Sequence, residues 1–226
     1  ALLTWLFEHG THRASAMLHP DNHASAMVLE RTGFRFEGHT KGSFWVGDEV
    51  SDDLLYGMTR DDWEAWNARP TGPPRELVLA EITPDTVDRA RSLETHHSQR
   101  RFVAPMGASF GDALVPEEYE GETVVPWLRV VVADGEFVGF VMVAKPTEAH
   151  PVPYLWRLLI DRSHQRRGIG RHIIELLAEQ ARAWGATALD TSWEPGKGSP
   201  ERFYLGLGFE PTGRIVEGEI EARLSF

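Results

Sequence analysis

Two glycines framed by arginines carry the clearest chemistry in this chain. Gly168 and Gly170 lie in the run Gln165-Arg166-Arg167-Gly168-Ile169-Gly170-Arg171. An apolar stretch ending in Leu158-Leu159-Ile160-Asp161 enters the run. A stretch with Ile169, Ile173, Leu176, Leu177 and Ala181 on one helical face leaves it. Glycine lets the backbone approach a ligand closely, and a helix start offers unpaired N–H groups and the positive end of the helix dipole. Arg166, Arg167 and Arg171 add charge at the same place. The natural ligand is an anion, and a pyrophosphate fits best. A turn whose glycines only reverse the chain is the plainer reading, but it leaves the order strand, Gln165, three arginines, helix without a reason. The run is not a P-loop, because the Gly-Lys-Ser/Thr ending is missing, and it lacks the third glycine of GxGxxG.

Other chemistries find less support. The 226 residues contain no cysteine, which excludes disulfides, a thiolate metal site and a cysteine nucleophile. Ten histidines are present, but none forms an HExxH motif or another ligand pattern on one helix, so they read as surface residues and no metal is expected. Lys and Arg number 23 against 34 Asp and Glu, a net charge of −11 that argues against a nucleic-acid partner and mildly favours cationic substrates. No apolar run approaches the roughly 18 residues of a membrane span. Ala1–Phe7 is apolar but has no basic flank or cleavage site, so a cytoplasmic protein with no membrane partner is expected.

These residues need elements to hold them. Residues 68–75, with three prolines and a glycine, read as a linker between two segments. The first segment reads as helix 2–9, strand 12–18, helix 22–32, strands 34–40 and 53–59, and helix 60–67. It opens at Ala1 on a helical pattern without an N-cap, like the middle of something. The second reads as strand 76–82, helix 84–95, a broken helix 97–115, strands 127–133, 136–144 and 153–161, helix 167–184, strand 187–193, helix 199–206 and strands 208–215 and 219–226. Asp134-Gly135 marks a hairpin. Strands mixed with amphipathic helices give an α/β (α+β) class. Both segments contain a helix broken by Gly-Phe before a strand, at Gly33-Phe34 and Gly208-Phe209, a weak internal repeat.

Gln-Arg-Arg-Gly-Ile-Gly after an apolar strand resembles the acetyl-CoA motif, Gln/Arg-x-x-Gly-x-Gly/Ala, of the GNAT family of N-acetyltransferases. The resemblance spans residues 76–226 as a complete GNAT domain. Three stretches, Gln99–Pro105, Tyr154–Asp161 and Glu217–Leu224, are similar to the bacterial spermine/spermidine acetyltransferase branch. Residues 1–67, through His19–Phe34, resemble the C-terminal half of a GNAT domain of the branch that acetylates ribosomal-protein N-termini. The implied fold is a mixed central sheet flanked by helices, preceded by a partial second GNAT domain. The first segment lacks its own Gly-x-Gly loop, so it is not expected to bind acetyl-CoA by itself, and Asn22 reads as structural.

The resemblance also implies an activity: acetyl transfer from acetyl-CoA to a primary amine of a small molecule, a polyamine being the branch's acceptor, in a ternary complex without metal. Strands 156–161 and 187–193 are expected to splay. Leu159 and Ile160 backbone groups would meet the pantetheine and thioester, and Gln165, Arg166, Arg167, Gly168, Ile169, Gly170 and Arg171 would hold the pyrophosphate. Tyr204 is placed by the resemblance as the acid facing the CoA sulfur. The family's usual strand glutamate is replaced by Trp156, so Glu194, at the end of strand 187–193, is the candidate base. Three alternatives stay open: a protein N-terminus as acceptor, an antibiotic amine, or a non-catalytic acyl-CoA sensor or interaction module. The partner is a small-molecule amine, and a homodimer is left open.

Overall fold

The computed structural model describes residues 2–119 and 121–226. They gather into two units, one of residues up to 70 together with 96–98, the other of residues 71–95 and 99–226.

The first unit is built from α1 (Leu2–Glu8), β1 (Arg13–Leu18), α2 (His23–Arg31), β2 (Arg35–Val46), β3 (Glu49–Thr59) and α3 (Arg60–Ala68). Its three strands form an antiparallel sheet in the order β1-β3-β2. Phe7, Leu18, Ala26, Phe34, Tyr56 and Met58 form its core. Asn22 caps α2 by accepting from the Ser25 N–H at 3.1 Å, and Thr59 with Asp62 forms a capping box on α3. Glu30 is buried in this unit. It accepts hydrogen bonds from the Tyr56 hydroxyl (3.1 Å), the Ser98 N–H (2.9 Å) and the Ser98 hydroxyl (2.5 Å), which satisfies a charge that burial would otherwise penalise.

The second unit begins with β4 (Leu77–Ala80), α4 (Val87–Arg91) and α5 (Met106–Leu114), followed by a small hairpin of β5 (Glu118–Tyr119) and β6 (Glu122–Thr123). It continues with β7 (Pro126–Ala133), β8 (Glu136–Ala144), β9 (Tyr154–Ile160), α6 (Ile169–Ala183), β10 (Ala188–Trp193), α7 (Glu201–Leu205), β11 (Glu210–Val216) and β12 (Glu219–Ser225). Seven strands form one sheet in the order β11-β12-β10-β9-β8-β7-β4. One apolar cluster joins the sheet to α6 through Ile169, Ile173, Ile174 and Leu177. A second cluster gathers Ala90, Leu93 and Met106 against Val130, Phe140, Met142 and Leu159. The sheet is thus covered on both faces, as the mixed α/β reading requires.

Most expected elements are present, but the strands expected over 34–40 and 53–59 extend into one long hairpin, β2 running to Val46 and β3 starting at Glu49, and two helices differ. The helix expected over 84–95 covers only Val87–Arg91. The broken helix expected over 97–115 is a single 3₁₀ turn at His97–Gln99 and then α5, which starts after Pro105. Proline has no N–H to continue a preceding helix, so a new one begins behind it. The β5–β6 hairpin was not expected, since strands of two residues carry too little pattern to read. Asp134 (φ 51°) and Gly135 (φ 85°) turn β7 into β8, with the Asp134 carboxylate accepting from the Arg75 and Glu76 N–H groups at 2.9 and 3.1 Å.

Candidate active site

A cleft opens in the second unit where two parallel strands part. β9 and β10 are in register only at Tyr154 with Asp190 and Leu155 with Thr191. The β8–β9 register then shifts. Val143 faces Leu155 and Met142 faces Arg157, so Trp156 is an extra residue on β9. Such a bulge bends a strand and increases its twist. Beyond it, residues 157–160 remain paired to β8 on one side and have no strand partner on the other among the described residues. The resulting cleft has a volume of about 1180 Å³.

The glycine loop closes one part of this cleft. Gly168 stands at the N-cap of the 15-residue α6 with φ 78°, and Arg166 before it also has a left-handed φ of 64°. Two left-handed residues turn the chain sharply into α6, whose first N–H groups, as at any helix start, have no helical acceptors. A Cβ at Gly168 would meet nothing within 4 Å, so there is room at the loop for a ligand. A Cβ at Gly170 would lie 2.9 Å from the Phe203 ring and 3.2 Å from Ile160, both of which line the cleft. Gln165 holds the loop to the strand, donating from Nε2 to the Ile160 carbonyl at 3.1 Å and to Gln99 Oε1 at 2.8 Å.

The remaining walls are polar. Tyr204 from α7 lines the cleft but is itself buried. It stacks on Trp193 with ring centroids 5.6 Å apart, and its hydroxyl shares a hydrogen bond with Thr191. Burial pushes its phenol up to about 12. Tyr154, also lining the cleft, is pushed to about 12 by the same cause. Glu219 and Glu221 on β12 face the cleft with Asp190 and Ser192 of β10.

Residues 92–209, more than half the chain, match the family model described as the acetyltransferase (GNAT) family. This chain belongs to the GNAT family. It is a GNAT acetyltransferase, and the acetyl donor of such enzymes is acetyl-CoA. The fold has the same relatives. The GNAT domain of S. lividans PAT is 17% identical, covering 66% of this chain and 89% of its own, with a TM-score of 0.52. An acetyltransferase from Thermus thermophilus is 18% identical, covering 68% and 99%, with a TM-score of 0.52. A domain from Methanocaldococcus jannaschii is 16% identical, covering 67% and 99%, with a TM-score of 0.50. No curated protein matches the chain by sequence. Among the described residues no helix is long and apolar enough to cross a membrane, and no group of three or more His, Cys, Asp or Glu could hold a metal.

The loop suits the donor of a GNAT enzyme. The free N–H groups of α6, the room at Gly168, and Arg166 and Arg171 at the cleft suit a pyrophosphate, and the unpaired edge of β9 with Leu158 and Ile160 suits the pantetheine arm. The expected residues divide, however. Gln165, Arg166, Gly168, Ile169, Gly170, Arg171, Ile160 and Tyr204 all line the cleft. Leu159 turns its side chain into the core with Phe140 and Met142 by alternation along β9, so the expected contact with the pantetheine rests on its backbone alone. Arg167 is not brought to the cleft. It is buried, donates to the Gly72 carbonyl at 2.8 Å, meets His164 Nδ1 at 2.8 Å and pairs with Asp134 at 3.8 Å. Glu194 is exposed on the loop after β10 and outside the cleft lining. Sequence reasoning singled out neither Tyr154 nor Ser192 as a functional group. Both reach the cleft through strand pairings that no local pattern shows.

Proposed function

We propose that the chain transfers the acetyl group of acetyl-CoA to a primary amine of a small cationic molecule, of polyamine type, by direct attack in a ternary complex. The observation that carries this reading is that one cleft joins the glycine loop at the start of α6 to the carboxylates of Glu217 and Glu219. An anion site and a cation-attracting wall in one cavity match the two substrates. Acetyl-CoA supplies an activated acyl thioester. The chain's own groups orient it, exclude water and manage protons.

Tyr204 is the group we assign to the leaving sulfur. At about 12, its phenol stays protonated at neutral pH. Complete transfer to a thiolate whose acid has a pKa near ~8.5 would be uphill by roughly 5 kcal/mol. Tyr204 therefore acts as a hydrogen-bond donor that stabilises the departing thiolate. We further assign residues 76–226 as the complete GNAT domain, 68–75 as the linker and 1–67 as the C-terminal half of a second one.

Release of CoA thiol tests the reading, measured with acetyl-CoA against spermidine, spermine, shorter diamines, a peptide N-terminus and an aminoglycoside. Polyamines are expected to be the best acceptors, with a KM that rises with salt because attraction between exposed charges is screened over about 8–10 Å. Turnover of another amine class with none of the polyamines would remove the polyamine assignment.

A further inference from the structure

Three side chains in the cleft form a directed hydrogen-bond chain. Ser192 donates to Glu219 Oε2, and the Tyr154 hydroxyl lies 2.6 Å from Ser192 Oγ. A serine has one proton, and here it is given to the carboxylate, so the Tyr154 hydroxyl must be the donor to Ser192. The chain runs from β9 through β10 to β12, across the strand pair that parts to form the cleft.

The carboxylates around it are not equivalent. Asp190 receives two hydrogen bonds of 2.7 Å from Arg223, and Glu221 lies 3.7 Å from Arg214 and accepts from Thr212 at 2.8 Å. Arg157 is engaged with Asp112 at 3.3 Å. Glu219 has no cation within ion-pair distance among the described residues, and one of its oxygens is held by Ser192. Its charge acts on the phenols of both Tyr154 and Tyr204. Glu217, in the turn between β11 and β12, lines the same cleft, as do Glu117, Glu122, Lys145, His150 and Arg202.

We infer that Glu219 is the base that takes the proton from the acceptor ammonium, with Ser192 and Tyr154 as positioning residues that fix its carboxylate. The inference rests on the acetyl-transfer reading above and replaces Glu194 in the role of base. The ammonium gives one proton to Glu219, which passes it to solvent. The neutral nitrogen attacks the thioester carbonyl, so a nitrogen–carbon bond forms and the carbon–sulfur bond breaks. The second proton shed by nitrogen ends on the departing sulfur as free CoA thiol. Tyr154, pushed up to about 12 by burial, stays protonated throughout and keeps the chain directed at Glu219.

The test is the pH profile of the full-length protein, its Glu219→Gln and Ser192→Ala variants, with spermidine or the best acceptor of the amine panel. Glu219→Gln should lower kcat at saturating amine by about 10²-fold or more. Its rate should then rise with pH as the free amine itself becomes neutral, while the acetyl-CoA Kd from calorimetry stays within twofold. Ser192→Ala should lose about tenfold, the worth of one hydrogen bond to a charged group. An effect confined to KM, or a wild-type kcat and pH profile in Glu219→Gln, would overturn the assignment and leave acetyl transfer standing. A wild-type protein that releases no thiol with any amine would remove the acetyl-transfer reading and this inference with it.

Discussion

The first unit and the C-terminal part of the second share one frame and differ in what it carries. In the first, α1, β1, α2 and the β2–β3 hairpin give the strand order β1-β3-β2. In the second, α6, β10, α7 and the β11–β12 hairpin give β10-β12-β11. Four helices end on left-handed glycines, Gly10 (94°), Gly33 (101°), Gly185 (86°) and Gly208 (92°). The second helix of each frame ends on the same pair of backbone bonds. Phe34 N–H reaches Leu29 O and Gly33 N–H reaches Glu30 O, just as Phe209 N–H reaches Tyr204 O and Gly208 N–H reaches Leu205 O. Gly10 to Gly33 and Gly185 to Gly208 are both 23 residues.

That alignment shows where the chemistry lives. Leu29 stands where the second unit has Tyr204, Ala16 where it has Thr191, and Met17 where it has Ser192. The strand registers place Asp53 opposite Glu219 in the comparison, since Leu18 pairs with Leu54 as Trp193 pairs with Ile220. Only that acid has a counterpart in the first unit. Helix ends and strand order follow from backbone requirements that both units obey. The phenol and the hydroxyls have no counterpart at the matching positions of the first unit, as expected when function is set on a fold rather than by it.

Four substitutions break or sharpen this contrast. The largest effect is expected from Gly170→Glu, which puts a charge opposed to the pyrophosphate at the helix start and a side chain against Phe203. Calorimetry should find no acetyl-CoA binding while circular dichroism shows a folded protein. Tyr204→Phe comes next. Turnover should fall by about 10- to 10²-fold, the worth of one hydrogen bond to a charged group, with acetyl-CoA affinity unchanged. Equal turnover would return Tyr204 to a packing role like that of Leu29.

The same substitution has a stability signature. The folded pKa of Tyr204 lies at about 12, above its ordinary 10.0, because burial disfavours the phenolate. The protonated form therefore contributes stability that is complete below pH 10 and is lost as the pH rises toward 12. Roughly 2–3 kcal/mol is at stake. Denaturant unfolding between pH 9 and 12 should fall more steeply in wild type than in Tyr204→Phe, and parallel curves would contradict the assignment. The smallest contrast compares the two helix-ending glycines. Alanine at Gly208 meets only Leu224 at 3.6 Å and should cost about 1 kcal/mol for its left-handed φ. Alanine at Gly33 would also press on Trp66 at 2.5 Å and Met58 at 2.8 Å, so its melting temperature should fall further.

Much of the frame was legible because it is written locally. Gly33-Phe34 and Gly208-Phe209 announce their helix ends, Asp134-Gly135 its hairpin, and the apolar stripe of α6 its buried face. The loop was legible because glycines, arginines and a helix start are adjacent in the chain. Arg167 shows the limit of that reading, since one residue's step in a tight turn sends its side chain to Asp134 and Gly72. The base shows it again. Glu194 is near the cleft in sequence, while Glu219 reaches Ser192 through antiparallel pairing of β10 with β12, a contact 27 residues apart that no periodicity reveals.

The number of acetyl-CoA molecules bound by the full chain tests the central claim most directly. If the glycine loop of the second unit is the donor site, isothermal calorimetry will give one site per chain, and Gly170→Glu will abolish it. A second site, or binding that survives in the folded Gly170→Glu protein, would contradict the account.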